Sequence, residues 1–462
     1  MEHVTEKRSR WRPIRRAAGL QCSSLTTTGT ITATTGTPRL PLALQPGTPD
    51  PTGPAPRLSR TDTPGRMRIL ALAVAVVAAL SGVVGSSVLT SRTSELSTAR
   101  DDAAQLERLE SVRTAVVEAD ALAAAAYLAG GLEPPARRAE YEERLDAAQR
   151  GLAAAAARAT GDESVRLGGV ASALSQASGL VEQARANSRQ GFPVGAAYQR
   201  SASALIRAEV LPVLDEIAGE TGDRTVDAVG SGNLTVGLLW LCAVVALAVI
   251  GVASWWMLRR TNRVVNIGLA AAAMIIAGIT VLSSVVVGSS TSTAVDTIDV
   301  PYRAATSYAR ARTAAFDARS NEALTLIARG NGGAFETRWQ QLSAEATAYL
   351  ERVVELDGVR GGGVADSFAG YLEAHGEVRQ LDDDGRHDEA VARAQQIGID
   401  DWFGRFDVDS AAALDELAAT VDADLGDARS GVSWLRWTVL GAGLIAAVAA
   451  FAGVARRIQE YR

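Results

Sequence analysis

Four stretches of this chain are almost purely apolar, and the segments between them repeat their apolar positions with helical rather than strand spacing. The apolar runs cover Ile69 to Leu89, Leu234 to Leu258, Val264 to Val287 and Trp437 to Ala455. Each approaches the roughly 20 residues that a helix needs to cross hydrocarbon, and none carries a charge in its core. Trp240, Trp255, Trp256, Trp434 and Trp437 lie towards the ends of these runs, where an indole prefers the headgroup region. No run of alternating Val, Ile, Thr and aromatic residues bounded by turn residues signals a strand. The pattern predicts an all-α, polytopic membrane protein with four transmembrane helices and two repeated extracytoplasmic four-helix bundles.

Breaks in the helical pattern divide each long connection into about four helices. In the first connection they fall at Gly130-Gly131 with Glu133-Pro134-Pro135, at Thr160-Gly161-Asp162 and at Gly191-Phe192-Pro193. In the second they fall at Gly330 to Gly333, Asp357 to Gly363 and Asp382 to Gly385. Clusters of Gly and Pro end helices, and an antiparallel bundle returns both of its ends to the membrane. The expected organisation is a disordered tail (1–66), a first span (67–89), a first bundle (90–233) and a second span (234–258). Next come a link (259–263), a third span (264–288), a second bundle (289–433), a fourth span (434–455) and a short tail (456–462).

An internal repeat runs through this plan. Arg113-Thr114-Ala115 recurs as Arg312-Thr313-Ala314, Leu214 to Ala218 as Leu414 to Ala418, and Ser231-Gly232 as Ser430-Gly431, all at offsets of 199 or 200. Collinear matches at nearly one offset indicate a duplicated unit of span, bundle and span.

Charge orients the spans. Residues 1–68 hold eleven Lys or Arg against four acids. The link contributes Arg259, Arg260 and Arg263, and the tail Arg456, Arg457 and Arg462. Basic clusters at span ends mark the cytoplasmic side, so both termini and the link are expected inside a plasma membrane and both bundles outside it. The long connections are acidic, with 21 acids against 15 bases and 26 against 13. A cleaved signal peptide at the first span is disfavoured, because Gly85-Ser86-Ser87 is a poor small-x-small cleavage site.

Composition excludes several chemistries. The chain has two cysteines, Cys22 and Cys242, and three histidines. That supports no disulfide framework and leaves little for a His/Cys metal site. Walker loops, HExxH, GxSxG and dinucleotide fingerprints do not occur, so neither an enzyme nor a cofactor is expected. His375 and His387 flank Asp382-Asp383-Asp384, for which a solvated acidic loop is the plainer reading than a metal site. A transporter would carry ionisable or helix-breaking residues within its spans, and only Asn266 approaches this.

The candidate partner-binding residues are Trp402, Phe403, Arg405 and Phe406, in a run from Ile399 that concentrates aromatics near the membrane-distal end. Exposed, they would form a docking hot spot; alternatively Trp402 and Phe406, one turn apart, would close a bundle core. Arg113 and Arg312 could hold a ligand carboxylate, although intrahelical ion pairs are the simpler role.

The plan, the Asp400 to Phe406 segment and the ending Arg456 to Arg462 together resemble a family of four-span bacterial membrane proteins with duplicated outer helical domains. Each outer domain also looks like the four-helix sensor domains of chemoreceptors. The family resemblance implies two partners, an extracytoplasmic amino-acid-binding lipoprotein that binds glutamate and a cytoplasmic Ser/Thr protein kinase. It implies a relay that senses amino-acid status outside and transmits it inwards. The alternative is a non-enzymatic envelope scaffold. Besides these partners and the lipid bilayer, a homodimer is an option and nucleic acid is not expected.

Overall fold

A computed structural model describes residues 63–459, apart from 131–132, 231, 262–265 and 397–401. The expected disordered tail therefore lies almost wholly outside the described residues, as do Cys22, Ile399 to Asp401 and residues 262 and 263 of the link. The elements are α1 (Thr63–Ala129), α2 (Pro135–Arg158), α3 (Asp162–Arg189), α4 (Gly195–Leu205), α5 (Leu211–Gly230) and α6 (Gly232–Thr261). They continue with α7 (Ile267–Thr297), α8 (Arg303–Ile327), α9 (Gly333–Asp383), α10 (His387–Gln396), α11 (Trp402–Ser433) and α12 (Leu435–Gln459). Among the described residues there is no strand.

Four rods organise the molecule: Gly65–Ala129, Gly195–Arg259, Ile267–Ile327 and Trp402–Gln459, each 58 to 65 residues long and apolar enough at one end to cross a membrane. At about 1.5 Å per residue, such rods exceed the ~30 Å hydrocarbon layer by more than half their length. Their apolar ends show outward-facing side chains that water would not tolerate as a belt, including Leu72, Leu241, Val252, Met274, Val285 and Leu444. Each membrane segment thus continues into the extramembrane region as helix.

The spanning ends pack through small residues. Gly82 on α1 and Gly443 on α12 meet so closely that a Cβ on Gly443 would lie 2.5 Å from the Gly82 Cα. Gly268 on α7 and Gly453 on α12 make a second such crossing. Asn266, the polar residue at the start of the third span, caps α7 by accepting from Gly268 N–H at 3.0 Å. Its amide also donates to the Gly453 carbonyl at 3.2 Å, fixing that crossing. Helices approach this closely only where side chains are small.

Beyond the membrane, α2 and α3 fold back against α1 and the α4–α5 rod, with Leu109, Val112, Leu152, Leu167, Leu174 and Leu214 in their core. In the second half, α9 folds back on α8 and α11 around Tyr308, Phe368, Tyr371, Phe403 and Phe406. The reversals sit near the expected Gly and Pro clusters. At each of them a glycine, such as Gly161 (φ 57°) or Gly358 (φ 56°), takes a backbone conformation that disfavours a side chain. The short α10 is an addition that the breaks did not foretell.

Two rods contain a wider turn. Ile206–Val210 and Ile298–Tyr302 are π-helical. Pro301 lies inside the second, and Pro212 comes two residues after the first. Proline lacks the N–H for an α-helical bond and its ring clashes with the carbonyl four residues earlier. A wide turn removes that clash while the helix continues, so these prolines do not end their rods.

The two halves share a seam formed by α1 and α8. Val117 and Ala121 of α1 belong to the core of the second half. In turn α8 is buried nearly all round, from Ala304 to Leu326, with polar residues among those enclosed.

Candidate functional site

A helix enclosed on every side must bury whatever it carries, and α8 carries Arg312, Asp317, Asn321 and Glu322. Buried charges persist where partners compensate them. The partners come from all four rods and make the seam a densely charged interior.

One cluster centres on Arg312, which is 5% exposed. Its Nη1 donates to the Asp407 carbonyl at 2.5 Å and to Ser410 Oγ at 2.6 Å. Its Nη2 donates to Glu118 at 2.8 Å and to the Asp407 carboxylate at 2.5 Å. Glu118 is also paired with Arg144 of α2 at 3.1 Å. Burial pushes the Glu118 carboxyl up from its ordinary value, against the pull of Arg312 and Arg144.

The second cluster centres on Arg207, which lies in the π-turn between α4 and α5. It donates to Asp317 at 2.7 Å, to Ser320 at 2.9 Å and to Asp120 at 3.2 Å. Asp120 accepts further bonds from Ser203 at 2.5 Å and Ser320 at 2.6 Å. Burial works against the charge on Arg207, but Asp317 and Asp120 outweigh it and raise its pKa. Asp317 is raised by burial despite Arg207 beside it. Below these clusters, Thr114 and Thr313 share a hydrogen bond at 3.3 Å across the seam.

A third group flanks α8 on the side of α9. His375 is 3% exposed, with Nδ1 2.6 Å from Glu322 and Nε2 3.4 Å from Glu336. Its ring stacks on Trp339 at 3.5 Å. Burial opposes its charge, yet the bonds to Glu322 and Glu336 raise its pKa above the ordinary 6.5. Glu336 is correspondingly lowered: burial raises it, but the bond and charge of His375 outweigh that. His387 lies elsewhere, bonded to Asp382 at 3.0 Å. The two histidines share no hydrogen-bond partner among the described residues.

The four aromatic-segment residues divide between surface and core. Phe403 and Phe406 are 3% and 0% exposed, packed with Phe316, Phe368 and Tyr371. Trp402 is 38% exposed, lies against Gly370, and carries the exposed Arg405 guanidinium 4.4 Å above its ring. Of the four, Trp402 and Arg405 are thus exposed, while the two phenylalanines hold the core. For the arginine pair the outcome differs from the intrahelical expectation. Arg113 does bond within its helix, to Glu110 at 2.6 Å, and reaches Asp215 at 3.3 Å. The hydrogen bonds of Arg312 run between helices, because at its position the neighbouring turns of α8 offer no carboxylate while α1 and α11 do.

Sequence reasoning missed Glu118, Asp120, Arg207, Asp317 and Asp407. The signal open to it was their setting: Glu118 and Asp120 interrupt an otherwise apolar Thr114 to Ala126, and Asp317 lies within a similar Ala-rich run. Charges inside an apolar run point to a buried network.

A family model, the actinobacterial sensor domain, matches residues 95–230, which span the extramembrane part of α1 through α5. No curated protein and no solved structure matches the chain. The match points to a sensing role for the segment that supplies Glu118, Asp120 and Arg207 to the seam.

Proposed function

We propose that the protein is a transmembrane signalling relay that takes extracytoplasmic amino-acid status from a solute-binding lipoprotein and transmits it to a cytoplasmic Ser/Thr protein kinase. One observation carries the relay. Every membrane-crossing rod contributes charge to the same seam: Glu118 and Asp120 from the first, Arg207 from the second, Arg312 and Asp317 from the third, Asp407 from the fourth. A ligand or partner that prefers one packing of these groups shifts the equilibrium between arrangements of all four spans. The sensor-domain match to residues 95–230 supports the sensing half of this reading.

Duplication supports it as well. Arg92 and Thr291, Thr114 and Thr313, and Asp120 and Ser320 are 199 or 200 residues apart and bond in pairs. Corresponding residues meet in this way along the axis of a two-fold repeat. Two four-helix bundles joined at such an axis would respond to an event at one by adjusting the other. The orientation that places them outside rests on the basic clusters at the span ends. In this reading the protein is not an enzyme; it works by moving its spans.

The test is in-cell crosslinking of the tagged protein with and without glutamate and aspartate, followed by mass spectrometry of captured partners. The relay predicts a solute-binding lipoprotein and a Ser/Thr kinase whose capture changes with the amino acids. Capture of envelope-building proteins alone, indifferent to amino acids, would replace the relay by a scaffold.

A further inference from the structure

Where α1, α2, α8, α10 and α11 meet, the seam leaves a cavity of about 110 Å³. Most carboxylates in its wall are already matched. Glu118 is held by Arg312 and Arg144, Asp407 by Arg312, and Glu322 by His375. Arg319, in that wall, makes no ion pair among the described residues. Its guanidinium lies 4.7 Å from the Phe403 ring centroid, and its buried Nη1 has no hydrogen-bond partner among the described residues. From the other half, Arg137 of α2 lines the same cavity and makes no ion pair among the described residues. A buried donor without an acceptor is costly to keep, and a guest carboxylate would supply the acceptor.

We propose that this cavity binds a small organic carboxylate, held between Arg319 and Arg137. The planar fork of a guanidinium matches a carboxylate with two parallel bonds. Leu122, Phe316 and Phe403 supply apolar wall, which suits a short hydrocarbon portion better than a bare inorganic anion. The volume sets the size: a cavity of ~150 Å³ accepts benzene, so this one takes roughly four to six non-hydrogen atoms. Glu140, exposed in the wall and unpaired among the described residues, complements an ammonium group if the ligand has one.

The site deepens the relay reading and rests on it for its consequence. Arg319 is on the third rod, Phe403 on the fourth and Leu122 on the first, while Arg137 is on a helix that folds back between rods. A carboxylate drawing Arg319 and Arg137 together tightens one packing of the seam.

The experiment uses the full chain in nanodiscs, with calorimetric titration and thermal unfolding. The probes are acetate, propionate, succinate, L-alanine, L-aspartate and inorganic phosphate, with methylammonium as a cation control. At least one carboxylate should bind saturably and raise the unfolding temperature, with phosphate and methylammonium inert. Arg319→Gln and Arg137→Gln should each weaken that carboxylate roughly 10- to 100-fold, the usual worth of a hydrogen bond to a charged group. Ala125→Met, which fills the cavity without altering a charge, should abolish binding. Preference for L-alanine over propionate, lost in Glu140→Gln, would identify the ligand as an amino acid within the proposed class. If Arg319→Gln does not fold, Arg137→Gln, at a half-buried position, gives the same readout. Saturation by phosphate but by no carboxylate would overturn the assignment. So would an absence of saturation by any probe in cooperatively unfolding protein, or full affinity retained by both arginine variants. Partner capture judges the relay separately: partners captured with an empty cavity would sink the site alone, and carboxylate binding without them would sink the relay alone.

Discussion

Arg312 makes four hydrogen bonds to three residues inside the seam, so its removal leaves buried Glu118 with Arg144 alone and takes the ion pair from the partly exposed Asp407. Arg312→Ala should therefore destabilise the extramembrane region by about 1.5–3 kcal/mol, the worth of a hydrogen bond to a charged group. Arg312→Lys should recover only part of this, since an ammonium cannot bond Glu118, Asp407 and Ser410 with one planar fork. Chemical unfolding of the detergent-solubilised chain measures both. His375 has a different signature. Its folded pKa is raised, so its contribution is complete below the ordinary 6.5 and is lost as pH rises through the folded value. The folded pKa of Glu336 is lowered, so its contribution is present above the ordinary 4.5 and is lost as pH falls through the folded value. The stability difference between the natural chain and His375→Gln should be greatest between those ordinary values and shrink on either side. A difference independent of pH would show that the imidazole is not charged there. At this scale the sequence was only half legible. Arg113 and Arg312 occupy matching triplets, yet one bonds along its helix and the other across the seam. Residue type and spacing carry no information about which helix stands opposite. Helical spacing paired Trp402 with Phe406 as core; Phe406 is buried and Trp402 is 38% exposed, while the burial of Phe403 and the stacking of Arg405 on Trp402 were not readable.

Close crossings between spans depend on single hydrogens. Gly443 and Gly441 lie on the same helix, but a Cβ on Gly443 would meet Gly82 at 2.5 Å while one on Gly441 meets nothing within 4 Å. Gly443→Leu should cost about 1–3 kcal/mol through overpacking, and Gly441→Leu should be nearly neutral. Thermal unfolding in nanodiscs, compared between the two, checks the crossing. Equal effects would mean that the first and fourth spans do not touch there. Four helices able to span a membrane were legible because hydrocarbon imposes a coarse demand of about 20 apolar residues. The bundle helices were legible for a related reason, since Gly130, Gly161, Gly191, Gly330 and Gly385 mark reversals where few other residues fit. Pro212 and Pro301 showed the limit of the breaker rule. A wide turn accommodates each, and the decision between ending and widening belongs to the packing around the rod.

For the molecule as a whole, what counts is the angular agreement between two distant ends of one rod. The third rod must present Ser283 and Val287 to its neighbours near the membrane and Arg312 and Asp317 to the seam. A π-turn holds one residue more than the α-turn it replaces, and each added residue rotates the remainder of the helix by about 100°. Short matches at offsets of 199 and 200 were visible in the sequence, but this angular relation was not, because hydrogen-bond register within a turn leaves no compositional trace. It does make the chain's tolerance of length changes uneven. Deleting Pro301 removes both the clash and the surplus residue, so the rod should close into plain α-helix with membrane and seam faces still aligned. Deleting the exposed Ser292, earlier on the same rod, removes a residue from a regular turn and should swing Arg312 away from Glu118. The first deletion should leave the unfolding temperature within a few degrees, on the order of a ~1 kcal/mol change, and the second should abolish the cooperative transition. In that sense the wide turn is a spare tooth on a shaft, a place where evolution could lengthen or shorten the rod by one residue without retiming its two ends.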